Sequence, residues 1–518
     1  MVPSGLPVLG FTDCWPTTAF RFRSRRDDGL GIPLAFALLL TLPCILFRYL
    51  PMVDLPQHEA VVSMILHLGD HGWAFDSYYE WVPSRTLYLL PYLLAAALAH
   101  VIPLHRAINC IAFCSVIAYP IGVFLYLRAL GRPAWVGLLS LPVVYNQSFF
   151  WGFVNFNFAV GLALVTIALT VGNWTRRRAM IVSLMAIVIA MTHIYGLLLL
   201  GAYVGFWLLS SERRQAAQRL PALIPVALGL SLWAILIRGA GGARGMVWPA
   251  FAHRWSQFAD SIAGGWRGYS ERAGLLFALV VAVVFFRNSI PFTVARWKSL
   301  KVHERIAWQL VAVNLLLYFS MPELRVAAMK ASFRHAQLAA MALPLALATE
   351  TTRGASHWAR PVLYLLGAYI VVSSWLHLRR FDVEARSFDA IAAAVPHGSR
   401  LAQLTYERQG SVAKVPAYLH FAAYAQAKKG GLLAVSFPAR FWNIPIGSKT
   451  VAGVPHVPND LEWKPALFGE SQLSQYFDCV IIRSQRNREP PLPEPFPYLL
   501  QLKSGPWRLL RKCEPIHD

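Results

Sequence analysis

The sequence predicts a mainly α-helical, polytopic membrane protein that ends in a small soluble α/β domain. Of its 518 residues, 56% are hydrophobic and only 14% are charged, whereas soluble globular proteins average about 25% charged residues. The second observation is a series of long segments that lack acidic and basic residues, and the third is a C-terminal region much richer in charge. This composition excludes a water-soluble enzyme and a disordered protein, and six cysteines are too few for a disulfide-framed secreted domain.

The positive charge of the chain does not indicate a nucleic-acid partner. The formal net charge of +22 comes from 48 Lys and Arg against 26 Asp and Glu. The basic residues lie between apolar segments, a distribution typical of the loops of membrane proteins. The lipid bilayer is therefore the expected surroundings of this chain.

The nearly charge-free segments define the predicted membrane domain, residues 31–378, which follows a cytoplasmic N-terminal tail of residues 1–30. A membrane helix needs about 20 mostly apolar residues, and the segments are 31–50, 86–104, 107–127, 133–175, 180–210, 221–237, 273–286, 306–322, 335–349 and 361–378. Segments 133–175 and 180–210 are too long for one helix and are interpreted as helix pairs, broken near Asn146 and near His193. If the basic clusters all face the cytoplasm, 86–104 is embedded without crossing and about eleven crossings remain; a count in which 86–104 crosses stays open.

The C-terminal region, residues 379–518, has the charge density of a soluble domain. It holds 30 of the 74 charged residues in 140 positions. Short β-like runs occur at 400–406, 432–437 and 479–484, a helix-like stretch spans 418–429, and Ser504-Gly505-Pro506 predicts a turn. We expect a small extracytoplasmic α/β domain.

The loop that follows the first apolar segment, residues 51–85, concentrates acidic and aromatic residues. It holds five of the 14 acidic residues that lie outside the C-terminal region. Asp54 and His58 are spaced i,i+4 and share a face if a helix begins at Asp54. A carboxylate beside an imidazole can bind a divalent cation such as Mg²⁺ or Mn²⁺, or accept a proton from a hydroxyl. Asp54 followed by Pro56 is also a good helix start, so both the chemical and the capping interpretation stay open.

The layout resembles the GT-C superfamily of membrane glycosyltransferases, which use polyprenyl-phosphate-linked sugars as donors. The resemblance rests on a short N-terminal tail, one helix, and a loop that opens with Asp54-Leu-Pro-Gln-His58-Glu59. The stretch Tyr145-Asn146 followed by Trp151-Gly-Phe-Val-Asn-Phe156 resembles uncharacterised bacterial members. The resemblance implies that Asp54 is the catalytic base or a metal ligand, with His58 beside it.

The family commonly carries a second acidic residue directly next to the first, and here Val53 and Leu55 stand there instead. Glu59 or Glu80 is the candidate substitute, and Arg85 lies in a segment that resembles the family's entry to the next helix.

A late basic loop resembles the part of the family that carries an arginine near the lipid phosphate. Arg334 corresponds to that arginine, and Arg325 and Lys330 add positive charge to the same loop. An arginine binds phosphate through two parallel hydrogen bonds, which lysine cannot form. The alternative is an arginine at a helix start whose charged end reaches the membrane surface.

The resemblance implies an enzyme that moves a sugar from a polyprenyl-phosphate donor to a glycan, lipid or protein acceptor at the outer face of a bacterial inner (plasma) membrane. A membrane transporter would carry ionisable residues within its membrane helices, and these segments carry almost none. A catalytically inactive structural or assembly protein would preserve the same layout. Both alternatives stay open from the sequence alone.

Overall fold

A computed structural model describes residues 29–172, 174–210, 219–238, 246–324, 331–349, 357–469, 472–484 and 497–512, and these residues are mainly helical. The α-helices of the first half are α1 (Gly31–Thr41), α2 (Pro43–Leu46), α3 (Leu55–His67), α4 (Leu90–Ala99), α5 (Leu104–Ala129), α6 (Gln147–Trp151), α7 (Val154–Thr170), α8 (Arg176–Ala190), α9 (Ile194–Ser210) and α10 (Ile224–Arg238). Those of the second half are α11 (Phe251–Ile262), α12 (Ser270–Phe286), α13 (Val294–Ser299), α14 (Val302–Ser320), α15 (Ala331–Leu347), α16 (Ala359–Ala385), α17 (Phe388–Ala394), α18 (Ala422–Lys429), α19 (Phe437–Arg440) and α20 (Leu473–Tyr476).

Among the residues that the structure describes, three helices are long and apolar enough to cross a membrane: Leu104–Ala129, Leu220–Ile237 and Ala359–Ala385. Other apolar helices are shorter, and α4 has only ten residues, about 15 Å at the usual rise. A hydrocarbon core is about 30 Å thick, so α4 is too short to cross it as one straight helix. The count of about eleven crossings stays a prediction.

The breaks that were predicted in the two long apolar segments are confirmed. Residues 134–143 form a 3₁₀ helix, after which the Asn146 side chain accepts a hydrogen bond from the backbone N–H of Phe149 at 3.0 Å and starts α6. Gly152, with a φ of +81°, ends α6, because a left-handed residue cannot continue the helix. The second break separates α8 from α9 at residues 191–193.

Small residues allow helices of the predicted membrane domain to pack closely. A Cβ atom at Gly122 of α5 would lie 2.7 Å from Cβ of Leu164, and one at Gly161 of α7 would lie 2.5 Å from Cβ of Ala118. Such contacts let two helix backbones approach each other, as is usual in membrane helix pairs.

The C-terminal region is a mixed α/β domain, as predicted. Its strands are β4 (Arg400–Thr405), β5 (Leu432–Leu433), β7 (Cys479–Arg483), β8 (Tyr498–Ser504) and β9 (Trp507–Lys512), in the order β5-β4-β7-β9-β8. Strands β5, β4 and β7 run parallel, whereas β8 and β9 form an antiparallel hairpin. Gly505, with a φ of +59°, lies at the turn of that hairpin. Helix α16 continues past residue 379 to Ala385 and carries the chain directly into this domain.

The first loop docks on the C-terminal domain. Strand β1 (Tyr79–Trp81) pairs in antiparallel fashion with β6 (Ile446–Ser448), whereas the remaining short pair joins β2 (Met246–Val247) to β3 (Glu323–Leu324). Helix α3 packs against α18, and the Ser63 hydroxyl donates a hydrogen bond of 2.7 Å to the carbonyl of Ala427. The Gln57 amide donates to the carbonyl of Val435 at 2.8 Å. The loop and the domain therefore lie on the same face of the membrane domain.

This arrangement predicts that two surface positions far apart in sequence face one compartment. We expect single cysteines at His71 and Lys464, whose side chains are 90% and 64% exposed, to react with a membrane-impermeant thiol reagent from the same side in a cysteine-free background. Labelling from opposite sides would contradict the pairing of β1 with β6. If both single-cysteine variants are labelled in intact cells, this face of the protein lies outside the cell.

Candidate functional site

Asp54 precedes α3, but its side chain does not cap that helix. The backbone of Asp54 is helical (φ −94°, ψ −6°), and its carboxylate makes no capping hydrogen bond. The capping interpretation therefore does not account for this residue. The carboxylate is instead directed to the C-terminal domain.

The turn at residues 150–152 holds the backbone of Asp54 in place. The N–H of Asp54 donates to the carbonyl of Trp151 at 3.2 Å, and the N–H of Val53 donates to the carbonyl of Phe150 at 2.9 Å. A Cβ atom at Gly152 would lie 2.6 Å from the nitrogen of Asp54, so only glycine allows this approach. The Trp151–Phe156 stretch thus forms one wall of the site.

His420 of the C-terminal domain lies between two carboxylates. Its Nδ1 atom is 3.1 Å from Oδ1 of Asp54, in a contact too bent to be a good hydrogen bond, and its Nε2 atom is 3.0 Å from Oε2 of Glu462. Arg440, at the end of α19, places Nη1 2.8 Å from Oε1 of Glu462. The side chains of Asp54, His420 and Glu462 are 14%, 10% and 13% exposed, so this four-residue charge cluster lies largely out of water.

The charge cluster stabilises the protonated form of His420. Burial alone would lower its pKa, but the hydrogen bonding and negative charge of Asp54 and Glu462 outweigh burial and raise the pKa to about 9. Burial would raise the pKa of Glu462, yet His420 and Arg440 hold it below its ordinary value. At neutral pH the cluster therefore contains an imidazolium between carboxylates.

His58 lies beside Asp54 on the same face of α3, as its spacing predicted. Its Nδ1 atom is 2.9 Å from the hydroxyl of Tyr92, and its Nε2 atom is 3.2 Å from the carbonyl of Gly152. A carbonyl can only accept, so Nε2 carries the proton and Nδ1 accepts from Tyr92 when the ring is neutral. Burial lowers the pKa of His58, which favours this neutral form. The Tyr92 hydroxyl also forms a hydrogen bond with the side chain of Asn155, in the Trp151–Phe156 stretch.

The structure does not bring Glu59 to Asp54. Glu59 forms an ion pair with His105 of α5, with Oε2 2.7 Å from Nδ1, and its side chain is 8% exposed. Successive residues of a helix are about 100° apart, so a residue five positions after Asp54 points to another face of α3. Glu59 joins the loop to α5 and is part of the protein interior.

The other predicted substrate-binding residues are placed away from Asp54 or outside the described ranges. Glu80 of β1 and Arg85 form a half-exposed ion pair of 3.6 Å at the β1–β6 ladder. Arg325 and Lys330 lie outside the described residues.

Arg334 lies in the first turn of α15, surrounded by aromatic rings. Its guanidinium carbon is 4.5 Å from the ring centre of Phe153, 5.4 Å from that of Phe156 and 5.3 Å from that of Tyr195. The charge of Asp54 acts on this guanidinium, and the residue that contacts Arg334, Phe153, directly follows the glycine that contacts Asp54. The Trp151–Phe156 stretch therefore contacts both Asp54 and Arg334.

Arg334 has no carboxylate within ion-pair distance among the described residues. Its Nε atom is buried without a hydrogen-bond partner there, although its side chain does bond Tyr195. A positive charge in the first turn of a helix also opposes the helix dipole. An anion at this position would satisfy the free donor and reduce that unfavourable interaction.

The residues around Asp54 do not fit the divalent cation that the resemblance implies. Both ring nitrogens of His58 are hydrogen-bonded, and Oδ1 of Asp54 faces a protonated ring that cannot act as a ligand. Within the part of the chain that the structure describes, no group of three or more His, Cys, Asp or Glu side chains has the geometry to hold a metal ion.

Comparisons with known proteins give no further indication. No protein-family model matches this sequence, and no curated protein shows significant similarity to it. The site is therefore interpreted from its own geometry.

The packing at Gly152 generates a prediction with a matched control. We expect Gly152→Ala to lower the free energy of unfolding by at least about 2 kcal/mol more than Gly453→Ala, since overpacking against a fixed backbone usually costs ~1–3 kcal/mol. Both glycines have a φ near +80°, but a Cβ atom at Gly453 would have no atom within 4 Å. Equal losses in thermal unfolding of the purified variants would contradict the close contact.

The charge cluster predicts a dependence of stability on pH. The pKa of His420 in the folded protein is about 9, above the ordinary value of about 6.5, so its stabilisation is complete below pH ~6.5 and is lost as the pH rises through about 9. The loss is on the order of 3 kcal/mol, since one pKa unit corresponds to about 1.4 kcal/mol. Unfolding measured at pH 6.5 and 9.5 should show this loss in the wild type and a smaller one in His420→Gln. If the wild type and His420→Gln lose the same stability, a group other than His420 causes the pH dependence.

Proposed function

We propose that the protein is a polytopic membrane glycosyltransferase that moves a sugar from a polyprenyl-phosphate-linked donor to a glycan, lipid or protein acceptor. The observation that carries this proposal is the position of the Asp54 carboxylate, which makes no capping hydrogen bond, contacts His420 and acts on the charge of Arg334. Transfer from a lipid phosphate needs a base at the acceptor hydroxyl and a cation at the leaving phosphate. Asp54 and Arg334 supply one each.

Asp54 is the proposed general base. Its Oδ1 atom lies 3.1 Å from Nδ1 of His420, whereas Oδ2 has no hydrogen-bond partner among the residues that the structure describes. The free oxygen can accept the proton of an acceptor hydroxyl. His58 and Tyr92 stabilise the loop beside it and do not need to exchange protons.

Arg334 is the proposed phosphate-binding residue. It is positively charged, contacts no carboxylate among the described residues, and packs against three aromatic rings. Arginine binds two phosphate oxygens at once, and the dipole of α15 adds positive potential at the same end. The donor's phosphate would lie here, with its sugar towards Asp54.

The docking of the loop on the C-terminal domain supports a topology in which both lie on one side of the membrane. About eleven crossings, a cytoplasmic N-terminus and an extracytoplasmic C-terminal domain in a bacterial plasma membrane would place Asp54, Arg334 and His420 on the outer side. Donors and acceptors assembled outside the cell would reach the site from the membrane surface.

Asp54→Asn tests the base. We expect transfer per folded molecule to fall on the order of 10²-fold or more, because the amide retains the shape of the side chain but cannot take up a proton. Transfer of radiolabelled sugar from a polyprenyl-phosphate donor in proteoliposomes measures this.

Glu59→Gln is the matched control, since it also neutralises a buried acid that contacts a histidine. We expect it to lower the melting temperature while transfer per folded molecule stays within about twofold. An active Asp54→Asn variant would refute the proposed base.

Arg334→Lys tests the phosphate contact. We expect the KM for the lipid-linked donor to rise about tenfold, since a hydrogen bond to a charged group contributes ~1.5–3 kcal/mol and lysine loses the planar, two-pronged contact. Arg360→Lys is the control, because Arg360 is also in the first turn of a helix and its guanidinium carbon is 5.5 Å from the ring centre of Tyr364. A similar rise in both variants would mean that Arg334 only anchors its helix.

A further inference from the structure

We propose that His420, fixed by Glu462 and Arg440, is a positioning residue that takes the place of a divalent cation beside Asp54. The site would then transfer sugar without a metal ion. This inference rests on the proposed function and extends it to residues of the C-terminal domain.

The two carboxylates that face the ring favour the protonated form of His420. Its two ring nitrogens face carboxylate oxygens at 3.1 Å and 3.0 Å. An ionised carboxylate only accepts hydrogen bonds, whereas a neutral imidazole has one donor. Both contacts are favourable only when both nitrogens carry hydrogen.

The charges of the cluster are already balanced. Asp54 and Glu462 contribute two negative charges, and His420 and Arg440 contribute two positive charges in direct contact with them. A divalent cation added to this partly buried cluster would leave an excess of two positive charges, which is unfavourable away from water. It would also have to displace the ring to reach both carboxylates.

The imidazolium would do for Asp54 what a bound metal does for a ligand carboxylate. It fixes Oδ1 and leaves Oδ2 directed to the acceptor. In the transfer step the acceptor oxygen forms a bond to C1 of the sugar, and the bond from C1 to the phosphate oxygen breaks. The phosphate leaves with the electron pair beside Arg334, and the hydroxyl proton moves to Oδ2 of Asp54. His420 keeps its proton throughout.

Arg440 and Glu462 keep the ring in place. Arg440 contacts Oε1 of Glu462 at 2.8 Å, which leaves Oε2 for His420. Phe437, at the start of α19, lies edge-on to the rings of both His420 and His58, and its backbone N–H donates to Oε1 of Gln57 at 3.1 Å. The C-terminal domain is therefore part of the site and not an appended module.

The inference is tested by Mn²⁺ binding, followed by electron paramagnetic resonance, together with transfer assays in a chelator. We expect the wild type not to bind Mn²⁺ at Asp54, so the Asp54→Asn variant should show the same Mn²⁺ binding as the wild type. Wild-type transfer should be unchanged by EDTA. We expect His420→Ala to gain Mn²⁺ binding that depends on Asp54 and Glu462, because the two carboxylates then face each other without the ring. In His420→Ala, transfer should fall on the order of 10²-fold and recover in part with Mn²⁺.

His71→Ala is the control, since it also removes a histidine from a contact with an acid, Asp76 at 2.6 Å, but on the exposed surface. His420→Lys, which keeps a positive charge, should retain more transfer than His420→Gln if His420→Ala fails to fold.

Mn²⁺ binding by the wild type that depends on Asp54, or no gain of binding in a folded His420→Ala, would overturn the inference. If wild-type transfer that requires Asp54 is also lost in EDTA and restored by Mn²⁺, the inference fails while the proposed function stands. If no donor is used by the wild type at all, the proposed function fails, and the binding experiment still decides the role of His420.

Discussion

The close approach of Gly152 to the backbone of Asp54 is the constraint on which the site depends. It fixes where α3 begins, and because Phe153 follows directly, it also fixes the ring on which Arg334 packs. The proposed base and the proposed phosphate-binding residue are thereby positioned by consecutive residues of one turn. A site held by backbone contacts is more rigid than one held by flexible side chains, and rigidity is what pre-organised catalysis requires.

Opposite α3, the C-terminal domain completes the site. Its contribution is electrostatic as well as steric, because His420 and Arg440 compensate Asp54 and Glu462 in a region with little water. Removing one member would leave an unpaired charge, which costs far more than the pair contributes to stability. The cluster therefore couples the docking of the domain to the loop that carries Asp54, because a misdocked domain would remove the charges that compensate this carboxylate.

The sequence was sufficient to locate the elements but not to pair them. Charge-free segments, the breaks near Asn146 and His193, and the strands of the C-terminal domain follow from local composition and turn residues. Asp54 was predicted from the acidic loop after the first apolar segment and from the resemblance to the GT-C superfamily, and Arg334 from that resemblance. His420 and Glu462 carry no such local signal: they lie among ordinary soluble-domain residues, and only the fold brings them to a residue more than 360 positions earlier. Glu59 is a related case. It is close to Asp54 in sequence, but it does not lie on the same face of α3 as Asp54.

Charge is distributed unevenly between the two sides of the site. On one side lies a cluster of four charges that cancel, with one carboxylate oxygen of Asp54 left free. On the other lies Arg334, whose charge no described carboxylate contacts and whose guanidinium packs against the rings of Phe153 and Tyr195. An anionic donor gains most at Arg334 and little at the balanced cluster, whereas a neutral hydroxyl is attracted only by the free oxygen of Asp54. In the proposed reaction, electrostatics would therefore favour the donor phosphate at Arg334 and the acceptor hydroxyl at Asp54.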